Sequence, residues 1–131
     1  MPKNKPLLET GPNGIEAKVK RYARQQGFYV RKFSSPSNRS VPDDIFITPL
    51  GLTFFIEFKS TGKKPTDAQE REINKILVNK GIVFVVDNIG GDGVTHWKKN
   101  CMMDIVIVHD GYKLINIMAH SHLLRGDSDG F

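Results

Sequence analysis

The chain has 131 residues, a length typical of one domain built around a single hydrophobic core. Its net charge of +5 suits a polyanionic partner such as a nucleic acid, although many soluble proteins are equally basic. No apolar run is long enough to span a bilayer, the N-terminus lacks the apolar stretch of a signal peptide, and one cysteine excludes an internal disulfide framework. We therefore expect a cytoplasmic protein.

The first part of the chain predicts a loose arm followed by a helix. Residues 1–13 are rich in Pro, Lys and Asn and are expected to form the arm. A helix is expected from about Gly14 to Gln26, with Asn13 as its N-cap and Gly27 closing it. Glu16 lies beside the apolar stripe of this helix, so it either faces a site or only complements the helix dipole.

Basic side chains mark the surfaces on which a phosphate backbone is expected to lie. The turn-forming loop of residues 34–40, which follows a strand at residues 28–33, lies just before two aspartates. Contacts of this kind predict salt-sensitive binding with little base specificity. The residues expected to make them are Lys20, Arg21 and Arg24 on the first helix, Arg39 in the loop, and Lys63 and Lys64 further along the chain.

Residues 41–59 predict two antiparallel strands joined by a turn at Pro49-Leu50-Gly51. In the second strand, side chains alternate so that Glu57 and Lys59 share one face. The hairpin returns the start of the first strand, which carries Asp43 and Asp44, to the level of these side chains. Two acids and a lysine at the end of an apolar hairpin indicate a divalent-cation site, with either aspartate as its ligand.

The next segment predicts a helix and a parallel strand. The sequence from Thr66 to Gln69 matches a capping box, so Gln69 is expected at the start of a helix that runs to about Lys80 and is capped by Gly81. The apolar run 82–86 is typical of a strand buried on both faces. Because a strand, a helix and a strand form a crossover unit, this strand should lie parallel to the one that carries Glu57.

Beyond Asp87 the sequence predicts an additional hairpin and a polar tail. Two strand-like runs, 105–109 and 112–118, flank Asp110-Gly111, a strong hairpin signal. We therefore divide the chain into an arm (1–13), a core (14–88), and a hairpin extension with its tail (89–131). The hairpin is expected to be either a dimerisation element or a simple extra sheet layer.

The central constellation has the chemistry that phosphodiester hydrolysis requires. One or two Mg²⁺ ions held by two carboxylates can activate a water molecule and neutralise phosphate charge. The backbone carbonyl of Phe58, between Glu57 and Lys59, can add a ligand. Lys59 can orient the attacking water or neutralise developing charge, and Gln69 can hold a water or the lysine in place. The alternative interpretation is a surface Glu–Lys pair beside a Pro-Asp turn.

Four segments of the chain resemble the PD-(D/E)xK nuclease superfamily. They are P-D-D-I-F-I, F-F-I-E-F-K, G-K-K-P-T-D-A-Q-E and, after a helix, V-F-V-V-D. More narrowly, they resemble the VRR-NUC group, whose order of elements is similar to residues 14–87. The resemblance implies an α/β, restriction-endonuclease-like core: helix, three-strand meander, helix, parallel strand. Two departures are Ser40, where glycine is usual, and Asp44, where an apolar residue is common.

By this resemblance, the site residues are Asp43, Glu57 and Lys59, with Gln69 after the loop and Glu16 on the first helix. It implies a Mg²⁺- or Mn²⁺-dependent DNA endonuclease, selective for branched or flapped DNA and acting in replication, recombination or repair. It also implies a possible homodimer and, for a phage-encoded chain, the host cytoplasm. The competing hypothesis is a non-catalytic nucleic-acid-binding module on the same fold, which would be expected to have lost one of the three motif residues.

Overall fold

The computed structural model describes residues 7–99 and 103–121 and shows a mixed α/β fold with one six-stranded sheet. The strand order across the sheet is β1-β2-β3-β4-β6-β5. In chain order the elements are α1 (Ile15–Gln25), β1 (Tyr29–Lys32), β2 (Asp44–Ile47), β3 (Thr53–Phe58), α2 (Asp67–Val78), β4 (Val83–Val86), β5 (Val94–Trp97), β6 (Ile105–Val108) and α3 (Gly111–Ala119).

The strand pairing confirms the predicted restriction-endonuclease-like core. Strands β1, β2 and β3 form an antiparallel meander, and β4 pairs in parallel with β3 after the crossover through α2. Strand β6 then pairs in parallel with β4, and β5 pairs antiparallel to β6 at the edge of the sheet. The C-terminal ends of β3, β4 and β6 therefore meet at one end of the sheet.

Side chains alternate between two layers of core because strand residues point to opposite faces of the sheet. On one face, α1 and α3 pack against each other and cover Val30, Phe46, Phe54 and other apolar residues of the sheet. On the other face, α2 covers a smaller cluster around Ile73 that draws on β4 and β6. Among the described residues, no residue of β1 or β2 belongs to this smaller cluster.

The start of α1 differs from the prediction. Gly14, not Asn13, is the N-cap, and it offers no side-chain hydrogen bond. The first helical amides instead donate to backbone carbonyls of the arm, Ile15 to Leu8 at 2.8 Å and Glu16 to Glu9 at 3.0 Å. These bonds satisfy amides that a capping side chain would otherwise serve. Residues 7–13 of the predicted loose arm are thus attached to the helix.

The start of α2 confirms the capping box, whereas its end differs from the prediction. Thr66 and Gln69 exchange hydrogen bonds between side chain and backbone in both directions. At the C-terminus, Asn79 is the C-cap and Lys80 takes a left-handed conformation, with φ of 69°. The Gly81 amide then donates to the carbonyl of Ile76 at 2.8 Å. The prediction placed the cap two residues too late because glycine is the residue usually found there.

The predicted hairpin around Asp110-Gly111 is wrong, although the sheet does gain an antiparallel C-terminal pair. That pair is β5 with β6, and residues 112–118 lie in α3. Asp110 is the N-cap of α3, and its side chain accepts from the Lys113 amide at 3.1 Å. The buried positions Leu114, Ile115 and Met118 follow a helical period.

Residues beyond the predicted core contribute to the same sheet and core. Strand β6 lies between β4 and β5, and α3 packs on α1. The division of the chain at residue 88 stays a prediction. The predicted polar tail beyond residue 121 lies outside the described residues. No helix within the described ranges is long and apolar enough to cross a membrane.

Ile115 and Ile117 distinguish the helix from the predicted strand. On a strand they would share a face, whereas on α3 Ile115 is buried and Ile117 is exposed. We expect Ile115→Ala to lower the free energy of unfolding by about 2–5 kcal/mol. The matched control Ile117→Ala should change it by less than about 0.5 kcal/mol. Urea denaturation measures both, and equal losses would contradict the helix.

Candidate active site

Asp43 and Glu57 lie next to each other at the end of the β2–β3 hairpin. The register pairs Asp44 with Ile56, so its continuation places Asp43 opposite Glu57. Asp43 Oδ2 accepts a hydrogen bond from the Phe58 amide at 2.7 Å, which fixes the aspartate against the strand that carries Glu57. Both residues have the strand parity that faces α2. The hairpin therefore brings these two predicted acids together.

Gln69 joins the site through the same side chain that caps α2. Its amide oxygen accepts from the Thr66 backbone amide at 2.9 Å, while its amide nitrogen donates to Glu57 Oε2 at 2.8 Å. The structural and functional interpretations of Gln69 are thus compatible, because each uses a different atom. The other carboxylate oxygen, Glu57 Oε1, is buried and has no hydrogen-bond partner among the described residues.

Asp44 lies on the opposite face of the sheet from Glu57. It is fully buried beneath α1, where Lys20 Nζ approaches its Oδ1 to 2.9 Å. Glu16 lies on this side as well, with Lys32 Nζ at 3.1 Å and Lys20 Nζ at 3.5 Å from its Oε2. The two aspartates therefore occupy different environments, and Glu16 lies in that of Asp44, where both acids approach Lys20.

Burial and mutual repulsion set the protonation of these acids. Burial, and then the charge of Asp43, raise the pKa of Glu57 to about 8. Burial also raises the pKa of Asp43, although the hydrogen bond from the Phe58 amide opposes this. Across the sheet, burial and a hydrogen bond with Glu16 raise the pKa of Asp44 to about 7. Burial opposes the ionisation of Glu16, but its bonds to Asp44 and Lys32 lower its pKa overall.

Lys59 follows β3 directly and begins the loop that leads to α2. Its backbone amide donates to the Val86 carbonyl at 2.9 Å, so β4 fixes its backbone position. The parity of β3 gives its half-buried side chain the same face as Glu57. The opposite charge of Lys59 partly counters the rise in the pKa of Glu57. The structure thus places the predicted lysine within electrostatic reach of the acid.

A chain of hydrogen bonds that the sequence analysis missed continues across the sheet from this loop. Asp87 is buried at the end of β4, and its Oδ2 accepts from the Gly62 amide at 3.1 Å. Its Oδ1 lies 2.7 Å from His109 Nδ1, and His109 Nε2 lies 2.7 Å from the Thr95 hydroxyl, so each ring nitrogen has a hydrogen-bond partner. The signal was a polar residue directly after each of two buried parallel strands.

Glu9 is a second residue that sequence reasoning missed. Its Oε1 accepts from the Ser60 amide at 3.1 Å and lies 3.3 Å from the Ser60 hydroxyl. The backbone of Leu7 also exchanges hydrogen bonds with Thr61. The arm therefore holds the start of the β3–α2 loop, and the charge of Glu9 contributes to the raised pKa of Glu57. No sequence pattern links the arm to this loop, since the contact spans 51 residues.

The basic residues that the sequence predicts to contact a phosphate backbone lie in different surroundings. An open groove of about 690 Å³ runs along α1 and is lined by Glu16, Lys20, Arg21 and Arg24 among others. Arg21 and Arg24 are exposed there, and Arg24 also donates to the Val30 carbonyl at 3.1 Å, whereas Lys20 is half-buried and pairs with Asp44. The three predicted residues in the loops, Arg39, Lys63 and Lys64, are also exposed. Together these residues form basic surface on α1 and on two loops.

The donor set fits a hard divalent cation completed by water and substrate. In the described part of the chain, no three His, Cys, Asp or Glu side chains are grouped so that they could hold a metal ion. Mg²⁺ is often bound by only one or two carboxylates, with water and phosphate oxygens filling the other positions. Glu57 Oε1, buried without a hydrogen bond and beside a second carboxylate, is an atom that such a cation would satisfy.

Known proteins resemble this chain in sequence and in structure. It is 36% identical over 76 residues to "Putative nuclease p44" of Acyrthosiphon pisum secondary endosymbiont phage 1, a match that covers 58% of this chain and 82% of that protein. A solved structure described as a "VRR_NUC domain" has a TM-score of 0.52 and 24% identity, covering 80% of this chain and 95% of that one. No family model matches the chain.

The chain belongs to the VRR-NUC family of nucleases. The chain is similar to the phage relative in sequence and to the solved domain in fold. Both the predicted family and the predicted fold are confirmed. In this VRR-NUC protein, Asp43, Glu57 and Gln69 converge on the α2 face, whereas Glu16 lies with Asp44 beneath α1.

The raised pKa values predict how stability depends on pH without divalent cations. Between the ordinary values of 3.8 and 4.5 and the folded values of about 7 for Asp44 and 8 for Glu57, the native state holds protons that the unfolded chain has lost. The free energy of unfolding should therefore fall by at least about 1 kcal/mol from pH 5 to pH 8. Urea denaturation in EDTA measures this, and Asp44→Asn and Glu57→Gln should each flatten the profile. An unchanged slope in both variants would contradict the assignment.

Substitutions of His109 test the bond to Asp87. Asparagine can place its amide nitrogen where Nδ1 lies, whereas glutamine reaches the position of Nε2. We expect His109→Asn to preserve slow hydrogen exchange at the Gly62 amide, and His109→Gln to accelerate it about tenfold because the orientation of Asp87 is lost. NMR exchange measurements distinguish the two variants. Equal exchange rates would show that Asp87 holds the loop without help from His109.

Proposed function

We propose that this VRR-NUC protein is a DNA endonuclease that uses Mg²⁺ or Mn²⁺ held by Asp43, Glu57 and the Phe58 carbonyl. The observation that carries the proposal is the buried Glu57 Oε1, which has no hydrogen-bond partner in the described residues and lies beside Asp43. Buried polar atoms without partners cost free energy, and a cation between two carboxylates would remove that cost. When bound, the ion would activate water and neutralise phosphate charge.

The surrounding residues divide the remaining tasks of hydrolysis. Gln69 fixes the carboxylate of Glu57 by donating to Oε2, which leaves Oε1 available for the cation. The Phe58 amide fixes Asp43 in the same way. Lys59 supplies positive charge on this face, where it can orient the attacking water or stabilise the charge that develops on the phosphate. From the other side of the sheet, the charge of Glu16 contributes to the raised pKa of both Asp43 and Glu57.

Asp43 is the metal-binding aspartate in this proposal, and Asp44 has a different task. Asp43 shares the face of Glu57, whereas Asp44 is already paired with Lys20 inside the other layer. A buried carboxyl group with its own cation is unavailable to a metal on the opposite face of the sheet. We assign Asp44 to the packing of α1 against the hairpin.

The substrate in this proposal is branched or flapped DNA, and the protein acts as a homodimer in replication, recombination or repair. The family resemblance supports these finer points. Exposed Arg21, Arg39, Lys63 and Lys64 would contact phosphates rather than base edges, which suits recognition by shape. Such contacts predict that binding weakens steeply as the salt concentration rises.

Cleavage of branched and linear DNA with Mg²⁺ or Mn²⁺ tests the proposal. We expect Asp43→Asn, Glu57→Gln and Lys59→Ala each to lower kcat by at least about 100-fold, because each removes a group at the reacting phosphate. Gln69→Ala acts through Glu57 and should cost about 10- to 100-fold. Asp92→Asn and Lys113→Ala make the same chemical changes at exposed positions and should leave kcat unchanged.

The same assay separates the nuclease from a DNA-binding module without activity. A binding module would retain DNA affinity but cleave no DNA in either metal. In that case Asp43→Asn and Glu57→Gln would leave the affinity for DNA unchanged. Cleavage that survives Glu57→Gln would instead retain the enzyme and reject this site.

A further inference from the structure

One face of the sheet remains open beside the proposed site. The side chains of Tyr29, Arg31 and Phe33 share the strand parity of Asp43 and Glu57. On the other face of these strands, Val30 and Phe46 are buried under α1. On this face Tyr29 is 51% exposed, and Ile45 and Ile47 of β2 are only half-buried. We call the surface formed by Tyr29, Arg31, Phe33, Ile45 and Ile47 the β1 platform.

The β1 platform leads directly to the acids. The Phe33 amide donates to the Asp43 carbonyl at 2.9 Å, which makes Phe33 the cross-strand neighbour of Asp43. The Phe33 ring packs on Phe55 of β3 with centroids 5.2 Å apart. Tyr29 lies four residues back along the strand, or about 13 Å away. The platform thus spans the distance of a few nucleotides and ends at the proposed cleavage site.

The chemistry of the platform is that of a base-stacking surface. The guanidinium of Arg31 lies 4.4 Å from the centroid of the Tyr29 ring, so a planar cation and an aromatic ring are stacked in the open. Aromatic and guanidinium planes on an open sheet bind unpaired bases, whose faces are accessible only when they leave the duplex stack. The positive charge of Arg31 complements the phosphates of the same strand.

We infer that the β1 platform binds unpaired nucleotides of the substrate strand next to the phosphate that is cleaved, by stacking bases on Tyr29 and Arg31. This inference rests on the proposed nuclease function and gives it a reason to select flapped or branched DNA. An arm without base pairs can lie on the platform, whereas a continuous duplex hides its base faces. A second copy pairing along the free edge of β1 is disfavoured, because Arg31 and Lys32 place charge on that edge.

The test is binding of a forked DNA with an unpaired thymine arm, measured by fluorescence anisotropy with Ca²⁺ in place of Mg²⁺. Tyr29→Ala should weaken binding about tenfold, whereas Tyr29→Phe should bind like the wild type, since stacking needs only the ring. Arg31→Gln should lower the slope of log affinity against log salt by about 1. Val78→Ala, a control at a similarly exposed apolar residue on α2, should have no effect.

Changing the DNA completes the experiment. Replacing the thymines of the arm with abasic sites should weaken wild-type binding about tenfold and abolish the difference between wild type and Tyr29→Ala. If Tyr29→Ala binds the thymine arm as tightly as Tyr29→Phe does, the inference is wrong. It is also wrong if Tyr29→Ala changes the oligomeric state of the protein in solution, since the face would then be an interface between copies.

Failure of this inference is distinguishable from failure of the proposed function. Wild-type cleavage together with arm binding that does not depend on Tyr29 would reject the platform and keep the nuclease. Tyr29-dependent arm binding by a protein that cleaves no DNA would reject the nuclease and keep the platform.

Discussion

The side chain of Gln69 connects the fold of this protein to its proposed chemistry. One amide atom closes the capping box of α2, and the other holds Glu57. The helix therefore cannot shift or unwind at its start without releasing the carboxylate. Because α2 is also the crossover between the parallel strands β3 and β4, its first turn is fixed by the sheet as well. The orientation of Glu57 thus depends on the packing of the whole central unit.

The period of two along β2 explains why consecutive acids have different tasks. Asp43 faces the side of α2, where it lies opposite Glu57, and Asp44 faces α1. Each buried carboxyl group needs its own compensation, because burial raises its pKa. Lys20 supplies part of that compensation for Asp44, whereas Glu16 raises the pKa of Asp44 further. For the pair of Asp43 and Glu57, the Phe58 amide, Gln69 and Lys59 supply only part of it, and a cation would supply the rest.

Much of the hairpin and α2 could be predicted from sequence because the signals are local. Alternation in β3 placed Glu57 and Lys59 on one face, and Thr66 with Gln69 predicted the capping box that the structure confirms. The bond from Gln69 to Glu57 could not be predicted, since it depends on how a helix sits on a sheet. Residues 112–118 were assigned wrongly because a short apolar run after Asp-Gly suits both a hairpin and a helix capped by Asp110. The roles of Glu9, Asp87 and His109 depend on contacts that are distant in sequence.

The loop between β3 and α2 is held from two sides. The arm binds it at Ser60 and Thr61, and Asp87 binds it at Gly62. Over β4 and β6 the α2 face of the sheet is covered by the helix. Over β1 and β2, apolar and aromatic side chains on this face remain partly open. Tyr29 is exposed because α2 packs over other strands and leaves β1 uncovered on this face.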